Sequence, residues 1–93
     1  MIRNFADKET EKIYKQVFST KLPQSIQKIA LRKLMMIDNA ADLNDLRVLP
    51  SNHLEKLKDD RQGQNSIRIN DQYRICFYPG KNGFEEVEIV DYH

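Results

Sequence analysis

The run Ser66-Ile67-Arg68-Ile69-Asn70-Asp71-Gln72-Tyr73-Arg74-Ile75-Cys76-Phe77-Tyr78 decides the fold. Its apolar residues recur with a period of two, the period of a half-buried strand. Ile67 and Ile69 alternate with Ser66, Arg68 and Asn70, and a tight connection at Asn70-Asp71-Gln72 opens a second alternating run. There Tyr73, Ile75 and Phe77 share one side, while Arg74, Cys76 and Tyr78 share the other. A hairpin with one apolar side needs a covering layer, so helices are expected on the side of Ile67, Ile69, Tyr73, Ile75 and Phe77.

Working outward, Pro79-Gly80-Lys81-Asn82-Gly83 is a turn, and a last strand is expected from Phe84 through Val87-Glu88-Ile89-Val90 to the C-terminus. Upstream, Leu54 and Leu57 mark a short, irregular strand that also carries His53, Lys56 and Lys58. Asp42 to Asn52 reads as a connection. Before it the period becomes helical. Asp7 is an N-cap with Glu9 and Glu11 in the first turn, and the helix predicted over 8–19 places Ile13, Tyr14, Val17 and Phe18 on one face. Leu22-Pro23 starts a second helix, running to about residue 41, whose stripe is Ile26, Ile29, Ala30, Leu34, Ile37 and Ala41, widened by Leu31 and Met35. Residues 1–5 read as a first strand. The order β-α-α-β-β-β-β gives an α+β class, two antiparallel helices packed on one face of a small, mostly antiparallel sheet. All 93 residues read as a single domain.

Composition excludes several classes. Hydrophobic residues make up 40% and charged residues 31%, the balance of an ordinary soluble globular chain. No apolar run approaches the roughly 20 residues of a spanning helix, so no membrane role is expected. The N-terminus lacks a signal peptide's apolar core, and the single cysteine, Cys76, fits a reducing cytoplasm and a packed strand position. Two histidines and one cysteine offer no ligand spacing, so neither metal nor cofactor is expected. The net charge is only +1 but unevenly spread. Residues 1–35 carry eight Lys/Arg against three acids (+5), and residues 75–93 carry one Lys against four acids (−3). Such asymmetry suits a basic face for a polyanion as well as two ordinary solvated faces.

The chemistry-bearing residues lie away from the predicted helices. Asp91-Tyr92-His93 puts an acid, a phenol and an imidazole at the end of a strand, and histidine both gives and takes a proton near neutrality. Alternation sets Asp91 and His93 on one side and Tyr92 on the other, unless a twist or bulge brings them together. Arg68 and Arg74, on adjacent strands, point to the side the helices leave open, where a phosphate could sit between them or Asp71, Glu86 or Glu88 could pair with them. Lys56, Lys58 and Arg61 approach the same region. A cleft with cations and an acid/base histidine suits phosphodiester cleavage in RNA, which supplies its own 2′-hydroxyl nucleophile. On the helices, Lys8, Lys12 and Lys15, with Lys28, Arg32 and Lys33, form basic surfaces that could dock on rRNA phosphate or merely keep the helices solvated.

The stretch from Asn52 to Phe77, with its SIRIN-DQYRICF run, together with the terminal Val87-Glu88-Ile89-Val90-Asp91-Tyr92-His93, resembles the HigB toxins of the RelE/ParE superfamily. The resemblance spans the chain and is densest over residues 52–93. It implies a RelE-like fold and a type II toxin that cleaves mRNA on translating ribosomes, in contact with 16S rRNA. It also implies neutralisation by a HigA-type antitoxin with a DNA-binding helix-turn-helix, through which alone the toxin would meet operator DNA. Family roles in cleavage carry over to Lys58, Asp91, Tyr92 and His93, and roles in phosphate contact to Arg68 and Arg74. Glu55 stands where some members carry an active-site histidine, with His53 two residues upstream, and Tyr73 stands where tryptophan is common. Other readings are a ParE-like inhibitor of DNA gyrase, which binds without catalysis, and a small RNA-binding module. Neither gives the terminal Asp-Tyr-His a task.

Overall fold

The structure, a computed structural model, describes residues 1–92. Helix α1 spans Lys8–Tyr14, α2 spans Gln24–Asn39 and α3 spans Leu43–Arg47. Strand β1 is Glu55–Lys56, β2 is Asn65–Arg68, β3 is Tyr73–Gly80 and β4 is Gly83–Asp91. The four strands pair antiparallel in the order β1-β2-β3-β4. The expected α+β architecture holds, and the helix layer covers the expected side. Ile67, Ile69, Ile75 and Phe77 share one buried cluster with Ile13 of α1 and with Ile26, Ala30, Leu34 and Ile37 of α2, and Tyr73 packs against it. Thr10 ties α1 to the sheet, its Oγ1 accepting from Ile89 N at 2.9 Å in a buried position.

Four expectations change. Residues 1–5 do not form a full strand; Ile2 and Phe5 make isolated parallel bridges to Phe84 and Val87. The reason lies in β4, where the register shifts by one residue and Glu86 adopts a left-handed φ of 51°. This bulge turns Glu86 N toward Asn4 Oδ1 instead of a ladder carbonyl. Gly83 accommodates the same N-terminal segment, since a Cβ there would lie 2.3 Å from Met1 O. The segment is fixed again by Asp38 of α2, which accepts from Ile2 N at 2.8 Å and from Tyr14 Oη at 2.7 Å.

The first helix stops well before residue 19. Gln16 is left-handed (φ 63°), and Gln16 N and Val17 N bond to Ile13 O and Lys12 O, a Schellman closure formed without glycine. Val17 and Phe18 therefore leave the expected core stripe and are 52% and 58% exposed. The following loop is fastened by Gln27, whose side chain bonds Ser19 N, Ser19 O and Leu22 O. Ser19 Oγ donates to Glu9 Oε1 at 2.6 Å, which together with Lys12 holds the Glu9 carboxyl below its ordinary pKa.

The connection after α2 contains α3. Asp42 caps it, accepting from Asn44 N and Asp45 N, while Asp45 Oδ2 accepts from Ala41 N. Because α2 ends at Asn39, Ala40 rather than Ala41 is buried, and Met35 remains largely exposed.

Finally, the outer side of the sheet is not bare. Leu57 is buried outside the helix-side cluster. Arg61, in the short 3-10 turn Asp59–Arg61, reaches across to Glu88 of β4 at 3.3 Å. Residues 57–64 thus form a strap across the far side of β2, β3 and β4. Ser66 and Cys76 beneath it are fully buried. Burial raises the Cys76 thiol pKa, which fits a packed residue rather than a nucleophile.

Candidate active site

The cluster forms because β1 and the end of β4, at opposite ends of the strand order, are both drawn to the rim of the strap. Two left-handed residues direct β1 there. His53 (φ 44°) precedes it and Asp59 (φ 55°) follows it, both from residue types that tolerate that conformation. At the other end, Tyr92 N donates to Gln72 O at 2.6 Å and Gln72 Nε2 donates to Asp91 Oδ2 at 3.1 Å, binding the end of β4 to the β2–β3 connection. The result is a cavity of about 400 Å³ lined by Glu55, Lys56, Leu57, Lys58, Asp59 and Tyr92. Glu55 stands in this wall, whereas His53 is exposed outside it.

Of the candidate residues, Lys56, Lys58 and Tyr92 meet in this cavity, all three exposed. Asp91 pairs with Tyr73 in the ladder and lies one residue from Tyr92 on the alternate side, bonded to Gln72. His93 lies outside the described residues. Neither lysine has an ion-pair partner among the described residues. Glu55 and Asp59 stand in the same wall, and an ammonium that makes no direct ion pair, beside a phenol, can donate to a phosphate group and stabilise added negative charge.

Of the two expectations for the arginines, an anion between them or pairing with Asp71, Glu86 or Glu88, Arg68 follows the second. Arg68 and Arg74 are direct cross-strand partners, as their places in the hairpin imply. No anion is needed to hold them side by side, because each has protein acceptors. Arg68 pairs with Asp71. Arg74 donates Nε to Ser66 Oγ at 2.7 Å and Nη2 to His53 O and Ser66 O. Arg74 thereby braces the left-handed turn leading into β1. Arg61 is likewise committed to Glu88 and Gln64. The expected phosphate-contacting arginines are structural ties as well as charges.

One of the docking cations is misassigned by the sequence reading. Lys33 is 7% exposed, and its Nζ donates to the Oδ1 of Asn52, itself fully buried, whose Nδ2 donates to Leu46 O at 3.0 Å. Burial, then the charges of Arg32 and Arg68, push the Lys33 pKa down. The helical spacing Ile26, Ala30, Lys33, Ile37 contained the signal, since it puts Lys33 on the core stripe. Lys8, Lys28 and Arg32 are exposed, and so are Lys12 and Lys15, which pair with Glu9 and Glu11. Arg47 and Lys81, which the sequence did not single out, are exposed and line depressions beside α3.

Helices packed on one side of a four-stranded antiparallel sheet fit the fold of a RelE-like toxin. The family model for a RelE-like toxin of type II toxin–antitoxin system HigB matches residues 3–93. The chain is 40% identical to Toxin HigB-1 of Vibrio cholerae over 78 residues, covering 83% of this chain and 82% of that toxin. An uncharacterised protein of Haemophilus influenzae is 43% identical over 58 residues, 62% of this chain and 57% of its own. The chain belongs to the HigB-like toxins of type II toxin–antitoxin systems. Such a toxin implies an antitoxin partner. Among the described residues no helix is long and apolar enough to cross a membrane, and no cluster of metal-ligating side chains occurs.

Proposed function

We propose that this toxin is an endoribonuclease that cleaves mRNA on translating ribosomes in the cytoplasm and is neutralised by a HigA-type antitoxin. The observation that carries this reading is the meeting of Lys56, Lys58 and Tyr92 in one cavity, in a chain of the HigB family. In the reaction, a base takes the proton of the 2′-hydroxyl and O2′ bonds to phosphorus. The P–O5′ bond breaks, and an acid returns a proton to O5′. The products are a 2′,3′-cyclic phosphate and a free 5′-hydroxyl, and the step as written uses no metal. Asp91 and His93 are the acid/base candidates, Tyr92 supplies a hydrogen bond or a stacking face for a base, and Lys58 stabilises the charged phosphorane. Lys56 holds substrate phosphate at the cavity wall. Lys8, Lys12, Lys15, Lys28 and Arg32 add salt-sensitive docking on 16S rRNA phosphate.

The test is growth inhibition and mRNA cleavage by wild type, Tyr92→Phe and His93→Gln, each co-purified with antitoxin to prove folding. His93→Gln should abolish toxicity and cleavage while keeping antitoxin binding. Full cleavage by a folded His93→Gln protein would remove the imidazole from the mechanism. A toxin that arrests growth with mRNA intact and gyrase blocked would replace the nuclease reading with the gyrase one.

A further inference from the structure

We infer that Lys33, through its buried bond to Asn52, is a positioning residue that sets where β1 presents Lys56 and Lys58 to the cavity. The inference rests on the endoribonuclease reading and extends it from the cavity wall to the helix layer. Lys33 stands outside the wall formed by residues 55–59 and Tyr92. Its Nζ donates to Asn52 Oδ1, and Asn52 Nδ2 donates to Leu46 O at 3.0 Å. One side chain of the 3-10 turn Pro50–Asn52 thus ties α2 to α3. Lys33 is 7% exposed and Asn52 is fully buried.

The helical stripe around Lys33 is otherwise apolar, with Ile26, Ala30, Leu34 and Ile37. Apolar side chains at both places could fill the space without desolvating an ammonium, so the pair is a poor device for stability alone. What a buried directional bond adds is a single allowed arrangement. The turn it fixes leads straight into β1. His53 follows Asn52 with a left-handed φ of 44°, His53 N donates to Pro50 O at 3.1 Å, and His53 O accepts from Arg74. The entry to β1 is therefore held from α2 through Asn52 and from β3 through Arg74. Strand β1 has little means of setting its own place. It is a two-residue edge strand, pairing Glu55 with Ser66 and Lys56 with Asn65, and continued by Leu57 N donating to Gln64 O at 2.9 Å. Lys56 and Lys58 belong to this segment, while Tyr92 reaches the same cavity from the end of β4. A shift in the entry turn moves the lysines and leaves Tyr92 in place.

The test is a double-mutant cycle on cleavage, read beside amide exchange. Wild type, Lys33→Met, Lys58→Ala and the double variant are assayed on ribosome-bound mRNA, each well below its melting temperature. Lys33→Met/Asn52→Leu, which removes both polar partners, replaces Lys33→Met if that variant does not fold. In fully folded protein Lys33→Met should lower kcat by up to about 10²-fold, the cost of a misplacement of roughly 1 Å. Lys58→Ala should then cost much less in the Lys33→Met background than the about 10²–10³-fold expected alone, because a misplaced Lys58 has less to lose. The Leu57 amide should exchange faster, and the Ile69 amide, which donates to Tyr73 O at 2.9 Å, should not. Wild-type kcat in folded Lys33→Met, or additive losses in the cycle, would overturn the inference and leave the pair a core contact. Wild type that does not cut mRNA would sink the nuclease reading instead, and amide exchange then decides by itself. Faster exchange at Leu57 but not Ile69 would keep Lys33 as the residue that places β1, and unchanged exchange at Leu57 would remove it.

Discussion

The helix side carries more basic residues than the β1 rim and uses them differently. On α1, Lys12 pairs with Glu9 and Lys15 with Glu11, and on α2 Lys33 is buried against Asn52. At the rim, Lys56 and Lys58 have no ion-pair partner among the described residues and line a cavity with Tyr92. Formal charge is therefore a poor guide to available charge. A cation three or four residues from an acid on a helix already has an ion-pair partner, whereas Lys56 and Lys58 make none among the described residues although Glu55 and Asp59 line the same cavity. The proposed chemistry lies on the side that carries less of the sequence's positive charge.

The largest expected effect separates the two sides by rate. Lys58→Ala should slow mRNA cleavage about 10²–10³-fold, the usual loss when one preorganised charge contact to a developing oxyanion is removed. Lys8→Ala, on the helix side, should leave the single-turnover rate on bound mRNA unchanged. Equal slowing by both variants would erase the comparison.

Stability should show the reverse pattern. Lys33→Met leaves Asn52 Oδ1 buried without its donor, a loss of about 1–3 kcal/mol, which urea unfolding measures. Replacing exposed Lys56 by Met should shift stability by less than about 0.5 kcal/mol. Lys33 also has a pH signature. Its native pKa is lowered, so between that value and the ordinary 10.5 the unfolded chain binds more protons than the native one. Stability linked to Lys33 therefore rises with pH through that window, and Lys33→Met should flatten the rise. An unchanged pH profile would mean that Lys33 is solvated in solution.

Asp38 gives a smaller effect of opposite sense. Its pKa is lowered, first by Ile2 N and then by Tyr14 Oη, so its contribution is present above the ordinary 3.8 and lost as pH falls through the native value. Asp38→Asn should cost about 1 kcal/mol near neutrality and abolish that part of the acid dependence. The N-terminal segment should lose amide protection first, and protection equal to wild type would release Asp38 from anchoring it.

The smallest effect is expected at the bulge. Glu86→Gly relieves a left-handed φ and should stabilise by up to about 1 kcal/mol with cleavage unchanged. A destabilised variant would mean that the Glu86 side chain holds the bulge in place.

The sequence by itself determined the helix layer, the hairpin with its apolar side, and the last strand after the turn at 79–83, but counted residues 1–5 as a further strand. Periods of 2.0 and 3.6 are local properties, and every residue in 67–77 and 26–37 that alternates or recurs reports its own face. It also determined that Lys58 and Tyr92 are candidates, through residue chemistry and family resemblance together. Only the tertiary structure decided which cations are available, because pairing and burial depend on what another element brings. Asn52 takes Lys33 inward, Glu88 takes Arg61, and His53 O with Ser66 takes Arg74. The early end of α1, the strap over Cys76 and the bulge at Glu86 were also illegible, since each rests on a backbone turn that non-glycine residues adopt only when distant contacts hold it. A cavity between opposite ends of a sheet has no periodic trace in one dimension. It exists because the chain folds back on itself.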